Sequence, residues 1–131
     1  MKYLLDTTVF VWSLMEPERL NEQAFAILED DSHEMFLSAV TSWEIIIKSA
    51  IGKMKLPKEP AQFVAEALGR FLIQPISITH THSFAVGELA LYHRDPFDRM
   101  LIAQARSENM VLMTVDSMIA KYPVKTLWCR K

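Results

Sequence analysis

Short apolar runs alternate along the chain with longer stretches in which apolar residues recur every three or four positions. The short runs read as strands and the longer stretches as amphipathic helices. Residues 3–5 predict a buried strand that ends in Asp6, and Thr7 or Thr8 can cap a helix through Val9–Met15, which Pro17 breaks. Asn21 is a good cap for a second helix, with Ala24, Phe25, Ile27 and Leu28 at helical spacing, and the acid run 29–31 ends it. Met35–Leu37 is a second strand. Thr41 and Glu44 make a capping-box pair, so a helix is expected from near Thr41 to Ile51, with Gly52 as a left-handed stop. After a Lys53–Pro60 loop, Ala61–Leu72 predicts a helix and Gln74–Ile78 a third strand. Thr79 or Thr81 caps a helix through Leu91. Pro96 sits at a first-turn position of a helix running to about Glu108. Val111–Thr114, followed by Asp116, and Lys125–Trp128 are the last two strands.

Strands that alternate with helices imply a three-layer α/β/α architecture around a central, mostly parallel sheet of about five strands. The length of 131 residues fits one domain, 1–131, without internal repeats. Half the residues are apolar and 23% are charged, which excludes disordered and fibrous classes. The single cysteine, Cys129, excludes an internal disulfide and a paired-cysteine metal site, and makes a cytoplasmic, reducing setting the expectation. Lys2 followed by an apolar run raises the question of a signal peptide. Asp6 interrupts that run and no small-residue cleavage site follows, so a strand and helix are expected there. No run approaches the roughly 18 apolar residues that would cross a bilayer. The net charge is −2, unevenly spread: residues 1–34 hold eight acids and two bases, leaving eight acids and twelve bases for residues 35–131. A basic surface can therefore lie beside an acidic one.

Ligands of open α/β sheets bind outside the C-terminal ends of the strands. Asp6 and Asp116 follow strands and fall directly on that edge. Glu44 and Asp98 lie near helix N-termini that face the same edge. Taken singly, each acid has an ordinary explanation as a helix cap, a dipole partner or a turn residue. Four carboxylates on one edge would repel one another unless a divalent cation such as Mg²⁺ or Mn²⁺ filled the site, and carboxylate with water is the oxygen set those ions prefer.

Other constellations are weaker. There is no phosphate-binding glycine loop, dinucleotide fingerprint or nucleophile elbow. His80 and His82 have a spacing that could bind metal but read better as capping or surface residues, and His93, ahead of the Asp95 loop, could approach the acids but reads better as a surface residue. Trp12, Phe36 and Trp43 read as core or partner contacts rather than base-stacking platforms. Lys48, Lys53, Lys55 and Lys58 form either a solvated face or a track for a phosphate backbone.

Three stretches resemble one family. LLDTTVFVW (4–12), LSAVTSWEIIIKSAIGKMKLP (37–57) and HRDPFDRMLIAQARSENMVLMTVD (93–116) are similar, in order, to the acid-bearing segments of PIN domains, and among them to VapC toxins of bacterial type II toxin–antitoxin systems. The likeness covers about half the chain. Residues 58–90 match only in helical pattern. The resemblance places Asp6, Glu44, Asp98 and Asp116 on the family's acidic quartet, with Asp98 ahead of LIAQA and Asp116 at its most variable position. It marks Asp95 and Thr114 as supporting residues behind the quartet. It implies a Mg²⁺- or Mn²⁺-dependent endoribonuclease, with Asp6 and Asp98 holding the ion most directly and Glu44 and Asp116 acting on it through water. It also implies a tRNA or ribosomal RNA substrate, a homodimer and a cognate antitoxin protein. Two rival readings stand beside it: a receiver-type signalling domain, which also uses acids and Mg²⁺ at a sheet edge, and a catalytically silent binding module that keeps the fold. A receiver-type signalling domain needs an aspartate at the end of strand three, where this chain has Ser77-Ile78-Thr79-His80. A catalytically silent binding module would not need a full quartet.

Overall fold

The computed structural model describes residues 1–131. Five strands, β1 (Lys2–Leu5), β2 (Glu34–Ser38), β3 (Gln74–Ile76), β4 (Val111–Thr114) and β5 (Thr126–Trp128), form one sheet in the order β3-β2-β1-β4-β5. Every pairing is parallel, with Tyr3 opposite Met35 on one side of β1 and Val111 on the other. The helices are α1 (Thr7–Met15), α2 (Glu22–Glu29), α3 (Ala39–Ala50), α4 (Pro60–Arg70), α5 (His80–Val86) and α6 (Pro96–Ser107). No helix is long and apolar enough to cross a membrane.

The side-chain alternation of a strand divides the core in two. Tyr3 and Leu5 of β1 join Met35, Leu37 and Met113 on one face, where Val9, Phe10, Ala24, Phe63 and Val64 from α1, α2 and α4 cover them. Leu4 and Leu112 point the other way, under Leu101, Ile102 and Ala105 of α6, with Ile119 and Tyr122. The three layers expected from the order of elements are therefore present, around a sheet buried on both faces.

Local chemistry departs from expectation at the starts of two helices and at the end of a third. The cap of α1 is Asp6, whose Oδ1 accepts the Val9 N–H at 2.7 Å, rather than Thr7 or Thr8. The cap of α3 is Ser38, which accepts from Val40 N–H at 3.0 Å, so α3 begins before Thr41 and no Thr41–Glu44 capping box forms. In α5, Thr79 is the cap and His82 completes a capping box, but the helix stops at Val86 instead of reaching Leu91. The strand before it is shorter too: β3 ends at Ile76 and carries Pro75, which an edge strand tolerates because one side of its ladder is free. Gly52 takes the left-handed backbone expected of it, at φ +78°.

Candidate active site

The strand order reverses at β1, whose neighbours are β2 on one side and β4 on the other, so the crevice beyond their C-terminal ends is a topological switch point. Asp6 closes β1 and Asp116 follows β4 by two residues. Helices α3 and α6 begin over the same edge and bring Glu44 and Asp98 toward it, so that Asp6 feels the charge of Asp116, and Asp98 those of Asp95, Asp6 and Glu44. The structure thus brings all four expected acids together.

Each is held differently. Asp6 is 3% exposed. Burial pushes its carboxyl up from 3.8 to about 6, against hydrogen bonds from the Val9 backbone, the Thr114 side chain and the Val115 backbone. Glu44 is equally buried; its Oε1 accepts the Thr7 hydroxyl at 2.6 Å and its Oε2 pairs with the Lys48 ammonium. The Thr7 oxygen lies 3.1 Å from the Thr41 hydroxyl. Thr7 gives its one proton to Glu44, so Thr41 donates to Thr7. The pair read from sequence as a capping box is instead a strut between α1 and α3. Burial opposes the charge on Lys48, but the hydrogen bond and charge of Glu44, with Asp95 and Asp98 beyond, raise its pKa above the ordinary value. Asp98 is the most perturbed acid: burial, then the charges of Asp95 and Asp6, push it up to about 7, with His93 opposing. Asp116 accepts the Met118 N–H at 2.9 Å, and its own N–H goes to the Thr114 hydroxyl at 3.0 Å. Thr114 therefore supports two acids at once. Asp95 caps α6, accepting the N–H groups of Phe97 at 2.8 Å and Asp98 at 3.3 Å.

His93 takes the less favoured of its two expected places, at the acids. It is not a surface residue: its Nε2 lies 2.8 Å from Asp116 Oδ2 and 3.0 Å from Asp98 Oδ2. Asp95 N–H points at its Nδ1 from 3.3 Å, which makes Nδ1 the acceptor and leaves the proton on Nε2, between the two carboxylates. The signal available in the sequence was its spacing, two residues before the Asp95 cap and five before Asp98. His82, the other histidine of interest, is 1% exposed and bonds Glu108 at 2.8 Å, away from the acids. Cys129 is buried, and burial followed by the charge of Asp6 pushes its thiol up to about 12, so no thiolate nucleophile is offered.

The donor set fits a hard divalent cation. Carboxylate oxygens of Asp98 and Asp116 lie within 4.8 Å of each other, and the His93 Nε2–H between them steadies both as a donor rather than as a ligand. Asp6 and Asp98 are both raised by burial and like charge, the signature of carboxylates gathered without enough positive charge to balance them.

Of the lysine track, Lys48 is paired with Glu44 and Lys58 with Glu66, which leaves Lys53 and Lys55 exposed in the loop after α3. Trp12 is a core residue, with Arg19 over its ring at 4.1 Å. Trp43 is 56% exposed and meets Phe97 edge-on at 5.3 Å, beside Glu44 and Asp98. These two rings line an apolar groove of about 620 Å³ together with Val40, Val86 and Leu91.

Comparison with known proteins places this geometry. The PIN domain family matches residues 3–125. Ribonuclease VapC16 of Mycobacterium tuberculosis is 34% identical over 58 residues, a match that spans 44% of this chain and 41% of that relative. Among solved structures, VapBC2 from Rickettsia felis bound to a DNA fragment from their promoter superposes with a TM-score of 0.76 at 18% identity, over 98% of this chain and 99% of that one. DNA-bound VapBC from Salmonella typhimurium gives 0.69 at 20% identity over 97% of each chain. FitAcB from Neisseria gonorrhoeae gives 0.62 at 22% identity over 95% and 96%. At these identities the structural likeness concerns the fold.

Proposed function

We propose that this chain, which belongs to the PIN domain family, is a Mg²⁺- or Mn²⁺-dependent endoribonuclease and the toxin of a toxin–antitoxin pair. The observation that carries the reading is the gathering of Asp6, Glu44, Asp98 and Asp116, with His93, at the switch point of a parallel sheet. The VapC16 relative, named a ribonuclease, supports RNA as substrate. The neighbours named VapBC and FitAcB support an antitoxin partner. RNA and its toxin action belong in the cytoplasm.

In this reading Asp6 and Asp98 would hold the cation, with Asp116 supporting them and the His93 Nε2–H fixing the Asp98 and Asp116 carboxylates. A bound divalent cation supplies two things to phosphodiester cleavage: it lowers the pKa of a water that attacks the phosphorus, and it neutralises charge growing on the phosphoryl oxygens. Glu44 is fixed by Thr7 and Lys48, so it presents an oriented carboxylate for hydrogen bonding to solvent in the crevice. Asp116, braced by Thr114 and Met118, does the same from β4. Burial of Asp6 removes competing bulk water from around the ligands. Lys53 and Lys55 offer a short basic approach for tRNA or ribosomal RNA phosphates.

Homodimerisation is supported by the exposed apolar side chains Trp43, Ile78 and Leu91 around the larger groove. An antitoxin segment has a second apolar groove of about 240 Å³, lined by Phe25, Leu28 and Phe71 among others. The deciding experiment incubates the purified chain with structured RNA in Mg²⁺, in Mn²⁺ and in chelator. Cleavage that needs the cation is expected. RNA left intact under all three conditions, at enzyme concentrations well above the substrate, overturns the reading.

A further inference from the structure

Residues 87–95 lie between α5 and α6 and form neither helix nor strand, yet they deliver His93 to the acids. The carbonyls of such a segment need donors from elsewhere. One side chain supplies donors to three of them and to the last carbonyl of α5. Arg99 follows Asp98 on α6. Its Nη1 donates to the carbonyls of Ala90 at 2.9 Å and His93 at 3.3 Å, and its Nη2 to those of Val86 at 3.2 Å and Leu89 at 3.3 Å. Tyr122, 4% exposed, works beside it. The Tyr122 hydroxyl donates to Ala90 C=O at 2.6 Å and accepts the His93 N–H at 2.8 Å.

These contacts close a circuit. Asp98 and Arg99 are consecutive on one helix. Arg99 grips the His93 carbonyl, Tyr122 the His93 amide, and the His93 ring returns to Asp98 at 3.0 Å. The position of the imidazole relative to the acid is thus set by a short path through two side chains rather than by a flexible loop. The planar fork of arginine reaches two pairs of carbonyls at once; the single nitrogen of lysine does not. We propose that Arg99 and Tyr122 are positioning residues that act through His93, holding the 87–95 segment so that Nε2 meets Asp98 and Asp116 together. The proposal rests on the nuclease reading only for what the positioned ring does. The clamp itself is testable without activity.

The experiment compares Arg99→Lys, Tyr122→Phe, His93→Gln and the double variant Tyr122→Phe/His93→Gln, each as the full chain. Two readouts are used: nitrogen NMR of the His93 ring without metal, and RNA cleavage in Mg²⁺. With circular dichroism matching the parent, Tyr122→Phe is expected to shift or broaden the His93 ring signals. It should lower kcat by about tenfold while KM stays within about twofold, the scale set by small losses of alignment. Arg99→Lys should do the same more strongly, and where it fails to fold, Tyr122→Phe carries the test. The double variant should cleave no more slowly than His93→Gln alone, because both changes act on one group. Unchanged ring signals in Tyr122→Phe, or losses that multiply in the double variant, overturn the proposal. A parent that leaves RNA uncut sinks the nuclease reading, while the ring spectra still decide the clamp.

Discussion

Asp6 caps α1 with the same carboxylate that faces the other acids. Asparagine caps a helix about as well as aspartate but is a poor ligand for a hard cation. Asp6→Asn is therefore expected to lose RNA cleavage by at least about a hundredfold while keeping the fold. Its pH behaviour adds a second check. The folded pKa of Asp6 is raised from 3.8 to about 6, so its contribution to stability is present below pH 4 and disappears as pH rises through about 6. Without metal, the difference in melting temperature between Asp6→Asn and its parent should move in favour of the variant between pH 4 and pH 8. Parent-like cleavage by the folded variant would remove Asp6 from the site. Asp6, Asp98 and Asp116 were legible in the sequence because a strand end or a helix start fixes where a short acid projects. His93 was less so: its place depends on hydrogen bonds to Arg99 and Tyr122, and Tyr122 lies 29 residues away.

At the scale of elements, the periodic patterns located every helix and strand, and Asn21 and Thr79 cap as expected, while the caps of α1 and α3 lie one and three residues before the expected ones. The reason is competition. Ser38, Thr41 and Glu44 all offer polar side chains at the start of α3, and a capping-box match counts only spacing. Tertiary packing decides: Thr41 and Glu44 are drawn under α1 by Thr7, which leaves Ser38 to serve the helix. The early end of α5 has a similar cause, since Arg99 takes the Val86 carbonyl that the next turn of a longer helix would have used. Ser38→Ala should then destabilise the chain by about 1 kcal/mol, the usual worth of a cap, read as a lower melting temperature. Thr41→Ala should instead loosen Glu44 and cost cleavage more than stability. If Thr41→Ala lowers the melting temperature like Ser38→Ala and leaves cleavage intact, the assignment of the two roles is reversed.

For the whole molecule, the arrangement loads one edge of the sheet with like charge while leaving apolar rings uncovered beside it. The uncovered rings predict a homodimer, measurable by light scattering; a monomer at micromolar concentration counts against it. The charge has a consequence for stability as a whole. The folded pKa of Asp98 is raised from 3.8 to about 7, chiefly by burial, then by Asp95 and Asp6. A raised carboxyl contributes stability below its unfolded pKa and loses it as pH rises through the folded value. At pH 8 in chelator the parent therefore carries an ionised Asp98 that the fold disfavours. Asp98→Asn removes that charge and should melt higher. The gain is set at on the order of 1 kcal/mol, because His93 already offsets part of the burden on Asp98. Added Mg²⁺ or Mn²⁺ binds the native state of the parent and should raise its melting temperature more than that of the variant. If Asp98 served only the positive end of the α6 dipole, replacing it would lower stability slightly at every pH above 4 and leave both proteins indifferent to the cation. Melting curves of the two proteins at pH 5 and pH 8, with and without metal, separate these outcomes. Equal metal responses would mean that the crowded edge is not a cation site.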